Sequence, residues 1–151
     1  MEAPEFVVDF PTLGDVWSAW MERHCRVPDR HQRGAPFREY DWQFWCTANH
    51  GRVRPEATHD PEHPLLNQAF VYRRSQVIAP QKMGKGPWTA ARVCLAAVGP
   101  TEFAGWAQAG DEYRCDENGC NCGWVYPYLP GEPMGRRHPS PLIQIMATSD
   151  D

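Results

Sequence analysis

No apolar run in this chain approaches the ~20 residues that a membrane-spanning helix needs. The first residues, Met1 to Asp9, are acidic and lack the basic start and apolar stretch of a secretory leader. The expectation is therefore a reducing, cytoplasmic setting, in which the six cysteines are thiols or metal ligands rather than disulfides. Internal repeats, low-complexity tracts, a paired C-x-x-C and a Ser-His-Asp arrangement are all missing. A strong charge of one sign is missing too. The formal net charge is −4, so bulk electrostatics do not mark a nucleic-acid binder. Basic residues still cluster locally, at Arg52, Arg54, Arg73, Arg74, Lys82 and Lys85.

What is present describes a loop-rich globular domain. The 151 residues are 42% hydrophobic, enough for one packed core, and include 15 Pro, 12 Gly and seven Trp. Leu13, Val16, Trp17, Trp20 and Met21 recur at helical spacing after Thr12, which predicts an amphipathic helix through about His24. A second short helix is predicted from Tyr40 or Asp41 to about His50, and a third from Pro87 to Val98, stopped by Gly99-Pro100. Residues 27–36 and 52–66 read as irregular connections. Ala69 to Ala79 reads as a strand or hairpin, Phe103 to Pro141 as a loop-like insertion, and Leu142 to Ala147 as a buried strand. A strand–helix–strand order with a buried second strand predicts an α/β fold with a parallel sheet. Two such strands do not complete a sheet, which points to a chain that is one part of a larger unit.

Two segments carry chemistry. The first is Ala79-Pro80-Gln81-Lys82-Met83-Gly84-Lys85-Gly86, between the predicted strand and the third helix. That is the setting of a phosphate-binding loop, whose N–H groups and helix N-terminus face phosphate oxygens. Gly84 permits close approach, and Lys85 is placed to reach the β- and γ-phosphates. The segment departs from G-x-x-x-x-G-K-S/T at both ends: Ala79 stands for the first Gly, and Gly86 for the hydroxyl that binds Mg²⁺.

The second is Cys115-x4-Cys120-x-Cys122, three thiolates in one short loop that suit Zn²⁺. A fourth ligand is required, and His138, Cys94 and Cys25 are the candidates. Another metal-like pair, His59 and His63 around Asp60 and Glu62, is broken by Pro61 and Pro64 and reads as a solvated loop.

Taken in order, several of these segments resemble one family. They are Pro11-Thr12-Leu13-Gly14, Gly34-Ala35-Pro36-Phe37 with Asp41-Trp42-Gln43, Tyr72-Arg73-Arg74, Pro80 to Pro87, Gly99-Pro100, Gly105-Trp106, and Pro141 to Ile145 with Ala147 and Ser149-Asp150. Together they resemble the N-terminal part of the tailed-phage terminase large subunit, the ATPase of the DNA-packaging motor.

The resemblance implies a partial P-loop NTPase fold over residues 1–151, with the insertion at about 103–141. It implies an ATP site made by Gln43 on adenine, with Ala79, Gln81, Lys82, Met83, Gly84, Lys85, Gly86 and Pro87 on the phosphates. Lys85 is the implied catalytic residue, and Mg²⁺ the implied second cofactor. Implied partners are double-stranded viral DNA, a portal protein and a small terminase subunit, in a ring within the host cytoplasm. The family's apolar strand ending in Asp-Glu and its nuclease domain are missing here, so the resemblance implies a half-site that is inactive alone. The competing expectation is a non-catalytic module held by zinc at Cys115, Cys120 and Cys122, or an inert split-gene fragment.

Overall fold

The computed structural model describes residues 6–63, 68–80 and 84–146. Helix α1 (Gly14–His24) lies at its centre. Thr12 Oγ1 accepts the Gly14 N–H at 3.0 Å, satisfying one of the free donors at the helix start. Asp15 in the first turn and Arg23 and His24 in the last agree with the helix dipole. Leu13, Val16, Trp17, Trp20 and Met21 are all buried, as their spacing predicts. Each such side chain contributes about 1.5–3 kcal/mol on leaving water.

Helix α2 (Asp41–His50) packs against α1 with almost no gap. A Cβ on Gly14 would stand 2.5 Å from Ala48 Cα, so the helices meet where neither can carry a larger residue. Thr12 Oγ1 also donates to the Ala48 carbonyl, closing the same joint. Helix α3 (Lys85–Val98) buries Trp88, Ala91 and Leu95. It begins two residues before the expected Pro87. It ends at Gly99, whose N–H donates to the Leu95 carbonyl at 2.7 Å.

Beyond α3 the chain forms two antiparallel two-stranded sheets. Strand β1 (Glu102–Trp106) pairs with β4 (Pro133–Arg136), and β2 (Glu112–Arg114) pairs with β3 (Val125–Pro127). The second hairpin is nested inside the first. A 3₁₀ turn, Cys115–Asn118, follows β2 and is closed by Gly119 at φ +80°, a conformation that glycine adopts without strain. Phe103, Tyr113 and Tyr128 carry the core into this region. Two indole N–H groups fasten it to the rest: Trp17 Nε1 donates to the Pro100 carbonyl at 2.7 Å, and Trp106 Nε1 to the Ala57 carbonyl at 2.8 Å.

The fold therefore corrects the sequence-based expectation. No parallel pairing occurs among the described residues, and this is not the fold of a P-loop NTPase. In the Ala69–Ala79 segment only Phe70 pairs, through an isolated bridge to Val53, and Val77 and Ile78 are exposed. Residues 142–146 are irregular, with Leu142 84% and Met146 89% exposed; Ala147 lies outside the described residues. Apolar content gives a segment its β-propensity, but a strand forms only where a neighbour takes its N–H and C=O groups; residues 52–54 do so for Ala69 and Val71 alone, through two hydrogen bonds, and the pairing goes no further. The insertion expected to be loop-like holds all four strands. Its Gly, Pro and aromatic residues serve short hairpins instead of loops. Among the described residues no helix is long and apolar enough to cross a membrane.

The α1–α2 joint supplies a stability test. Gly14→Ala drives a methyl into the Ala48 backbone, and the expected outcome in urea unfolding is a loss of about 1–3 kcal/mol.

Candidate functional site

The first arrangement forms at the start of α3. Gly84 sits at φ +82°, a left-handed conformation that turns the chain into the helix. A Cβ here would stand 3.3 Å from Gln43 Nε2. Gln43 lies in the first turn of α2 and is only 1% exposed. Its Oε1 accepts the Tyr40 N–H at 2.9 Å, and its Nε2 approaches the Gly84 carbonyl at 3.4 Å.

Glu39 holds this wall in place. Its Oε2 accepts from Trp88 Nε1 at 2.7 Å and from Thr47 Oγ1 at 2.5 Å, and Arg92 Nη1 donates to Thr47 Oγ1 at 3.1 Å. This network spans α2 and α3, and it sets where Tyr40 and Gln43 stand.

Two adjoining clefts open beside that turn, of about 630 and 500 Å³. The first is walled by Arg30, His31, Lys85 and Gly86, and the second by Phe37 and Gln43; Tyr40, Gly84 and Pro87 line both. Their volumes fall in the range of small-molecule sites, ≈ 300–1,000 Å³. Arg30 adopts φ +66°, uncommon for a side chain of its size. Lys85 Nζ donates to the Ala79 carbonyl at 2.6 Å, a bond an arriving phosphate has to displace. Of the expected nucleotide residues, Gln43, Gly84, Lys85, Gly86 and Pro87 are thus together, and Ala79 touches Lys85. Gln81, Lys82 and Met83 lie outside the described residues. A larger cleft of about 720 Å³, lined by Trp17, Arg54, Arg73 and Arg92, touches none of them.

The second arrangement joins α1 to the inner hairpin. Cys115 follows β2, with its N–H donating to the Trp124 carbonyl at 3.0 Å, and the Cys120 N–H donates to the Cys115 carbonyl at 2.9 Å. These bonds fold residues 115–124 into a knuckle that turns three sulfurs toward one another, Cys115 buried and Cys122 at the surface. They meet His24, the last residue of α1. Its Nε2 stands 3.4 Å from Cys115 Sγ, 3.8 Å from Cys120 Sγ and 3.3 Å from Cys122 Sγ. All four ligand atoms lie within 4.8 Å of one another, a cluster able to hold a metal ion such as zinc.

The thiols affect each other strongly. Burial and the neighbouring Cys122 and Cys120 sulfurs push the Cys115 thiol up to about 12. Burial also raises Cys122, but the Trp124 N–H and the Cys120, His24 and Cys115 side chains outweigh it and bring that thiol down to about 6. Hydrogen bonds thus favour the thiolate at Cys122, while desolvation disfavours it at buried Cys115.

No protein-family model, curated protein sequence or solved structure matches this chain.

The three expected cysteines come together, but none of the expected fourth ligands joins them. His138 Nε2 faces Glu102 Oε1 at 3.3 Å. Burial and the adjacent Cys94 raise the Cys25 thiol, so those two sulfurs are occupied with each other. His24 was missed because it lies 91 residues before Cys115, and ligand spacing carries no information over that distance. The usable signal was its place at the end of an amphipathic helix, one turn after Trp20. Asp60, Glu62 and His63 are exposed and bonded among themselves, in a solvated turn as expected, whereas His59 departs from that expectation: it is half-buried, with its Nδ1 buried and unbonded.

Gln43 anchors the cleft in a way that stability measurements can read. Gln43→Ala leaves the Tyr40 N–H without its buried acceptor, and the expected loss in urea unfolding is about 1–3 kcal/mol.

Proposed function

We propose that this chain is the nucleotide-binding front part of a DNA-packaging ATPase of the terminase large-subunit type. One observation carries the reading: Gln43, on α2, stands against the Gly84–Pro87 turn that starts α3, 41 residues along the chain, beside an open cleft. Adenine needs a side chain that both donates and accepts, and the Gln43 amide can do both once the base displaces its long bond to the Gly84 carbonyl, while Oε1 keeps the Tyr40 N–H. Phosphates suit the free N–H groups and positive end of α3, with Lys85 as the added charge. The ordered segments that resemble the terminase family add support from the sequence, and the fold adds none.

In this reading the chain binds ATP and does not hydrolyse it. Phosphoryl transfer depends on positioning and on charge stabilisation through Mg²⁺, and Gly86 offers no hydroxyl to hold that ion. In the assembled motor, hydrolysis would move double-stranded viral DNA toward a portal, with the small terminase subunit as a further partner. The metal at the Cys₃His cluster is zinc, because thiolate and imidazole ligands in a four-coordinate set select it over oxygen-seeking Mg²⁺. That centre has no part in phosphate chemistry.

Ligand-observed NMR with ATP tests the assignment. Saturation transfer to the adenine protons is expected at a dissociation constant of about 1 mM, or roughly −4 kcal/mol. Lys85→Ala should weaken binding about tenfold or more, the effect of removing a charge-assisted hydrogen bond. No transfer from ATP, or equal transfer with Lys85→Ala, contradicts the reading.

A further inference from the structure

We infer that zinc held by His24, Cys115, Cys120 and Cys122 is a closed, fold-forming cross-link that docks the β2–β3 hairpin onto the end of α1. The inference rests on reading the metal as zinc and not on the nucleotide assignment. Distances carry it first. Tetrahedral zinc at about 2.3 Å from sulfur and about 2.05 Å from nitrogen sets S···N separations near 3.6 Å. The three S···N separations here, 3.3, 3.4 and 3.8 Å, bracket that value.

The His24 ring is prepared for ligation. Its Nδ1 lies 2.9 Å from the Trp20 carbonyl, which only accepts, so Nδ1 carries the hydrogen. Nε2 is then left with its lone pair aimed at the three sulfurs. This is the outer hydrogen bond that fixes tautomer and ring orientation in metal-bound histidines. Trp20 stacks on the ring at 4.4 Å and Trp124 meets it edge-on at 5.6 Å, which shields the ligand and holds its plane. The sulfur side has an outer shell too: the Trp124 N–H donates to Cys122 Sγ at 3.4 Å.

The site is structural by its ligand count. Four protein ligands fill a tetrahedral ion and leave no position for water or substrate. Its effect follows from chain connectivity. The three sulfurs share one hairpin, so by themselves they tie only local residues. His24 makes the closure long-range, 91 to 98 residues away. The other direct polar tie between α1 and this knuckle, among the described residues, is Arg23 Nη2 donating to the Cys122 carbonyl at an exposed site. A short two-stranded hairpin is marginal by itself; Tyr113 and Cys115 pack it into the core, and the metal adds the long-range tie that fixes the knuckle against α1.

Zinc content, cobalt substitution and hydrogen exchange test this on the full chain. One zinc per chain is expected after purification in reducing buffer without added metal. Cobalt should give the strong visible bands of a tetrahedral, thiolate-rich ion. Removing zinc with a chelator should speed amide exchange over 112–127 by tenfold or more, while α3 keeps its protection. Cys120→Ser should lose the zinc. Should that variant fail to fold, His24→Cys provides a second arm: it should retain one metal and shift the cobalt bands toward those of a four-thiolate site.

A well-folded chain with less than about half an equivalent of zinc overturns the inference. So does unchanged exchange over 112–127 after chelation, or a cobalt spectrum that His24→Cys does not alter. Failure of ATP to bind leaves all these readouts intact, so the two proposals fall separately.

Discussion

Three sulfurs and one imidazole nitrogen converge at the end of α1, and the docking of the inner hairpin on the helical layer is built around that convergence. The sheets after α3 are short, with only three to five residues per strand. Such hairpins do not hold themselves against a helical layer. Indole hydrogen bonds from Trp17 and Trp106 pin their outer part, and the inner hairpin reaches α1 through His24 and its neighbours. Burial and the neighbouring sulfurs raise the Cys115 thiol, while hydrogen bonds lower Cys122, so the four groups already act on one another as a unit. Under the zinc reading that convergence is what binds the ion.

Helix α1 links this centre to the rest. Its first turn meets α2 at the Gly14–Ala48 contact, its middle sends Trp17 to the Pro100 carbonyl, and its last residue brings an imidazole nitrogen to the three sulfurs. From α2 the chain of contacts runs on through Gln43, Thr47 and Glu39 to the start of α3. The segment after α1 links the proposed nucleotide cleft to the cysteine cluster: Val27, three residues past His24, lines both clefts, and the Phe37 N–H donates to the Cys25 carbonyl at 3.0 Å. Cleft and cluster are each built from local turns that glycine permits, at Gly84 and Gly119.

Much of the helical half was legible in the sequence. Apolar spacing places α1, apolar density places α2 though not its buried face (Gln43 is inside and Trp45 exposed), and Gly99-Pro100 ends α3 where expected, because these are local properties. Cys115, Cys120 and Cys122 were legible as ligands for the same reason. His24 was not, since a partner 91 residues away leaves no local trace. The parallel sheet was wrong for a related reason. Residues 69–79 and 142–146 have strand composition, but pairing is a non-local property. Here the hydrogen-bonding partners went to Glu102–Trp106, Glu112–Arg114, Val125–Pro127 and Pro133–Arg136, in a stretch whose Gly and Pro content reads as loop.

X-ray absorption at the zinc edge, on the purified chain, tests the central claim most directly. The account predicts a first shell of three sulfurs at about 2.3 Å and one nitrogen at about 2.0–2.1 Å. A shell with oxygen ligands, with two sulfurs or with four, or a sample without zinc, would contradict it.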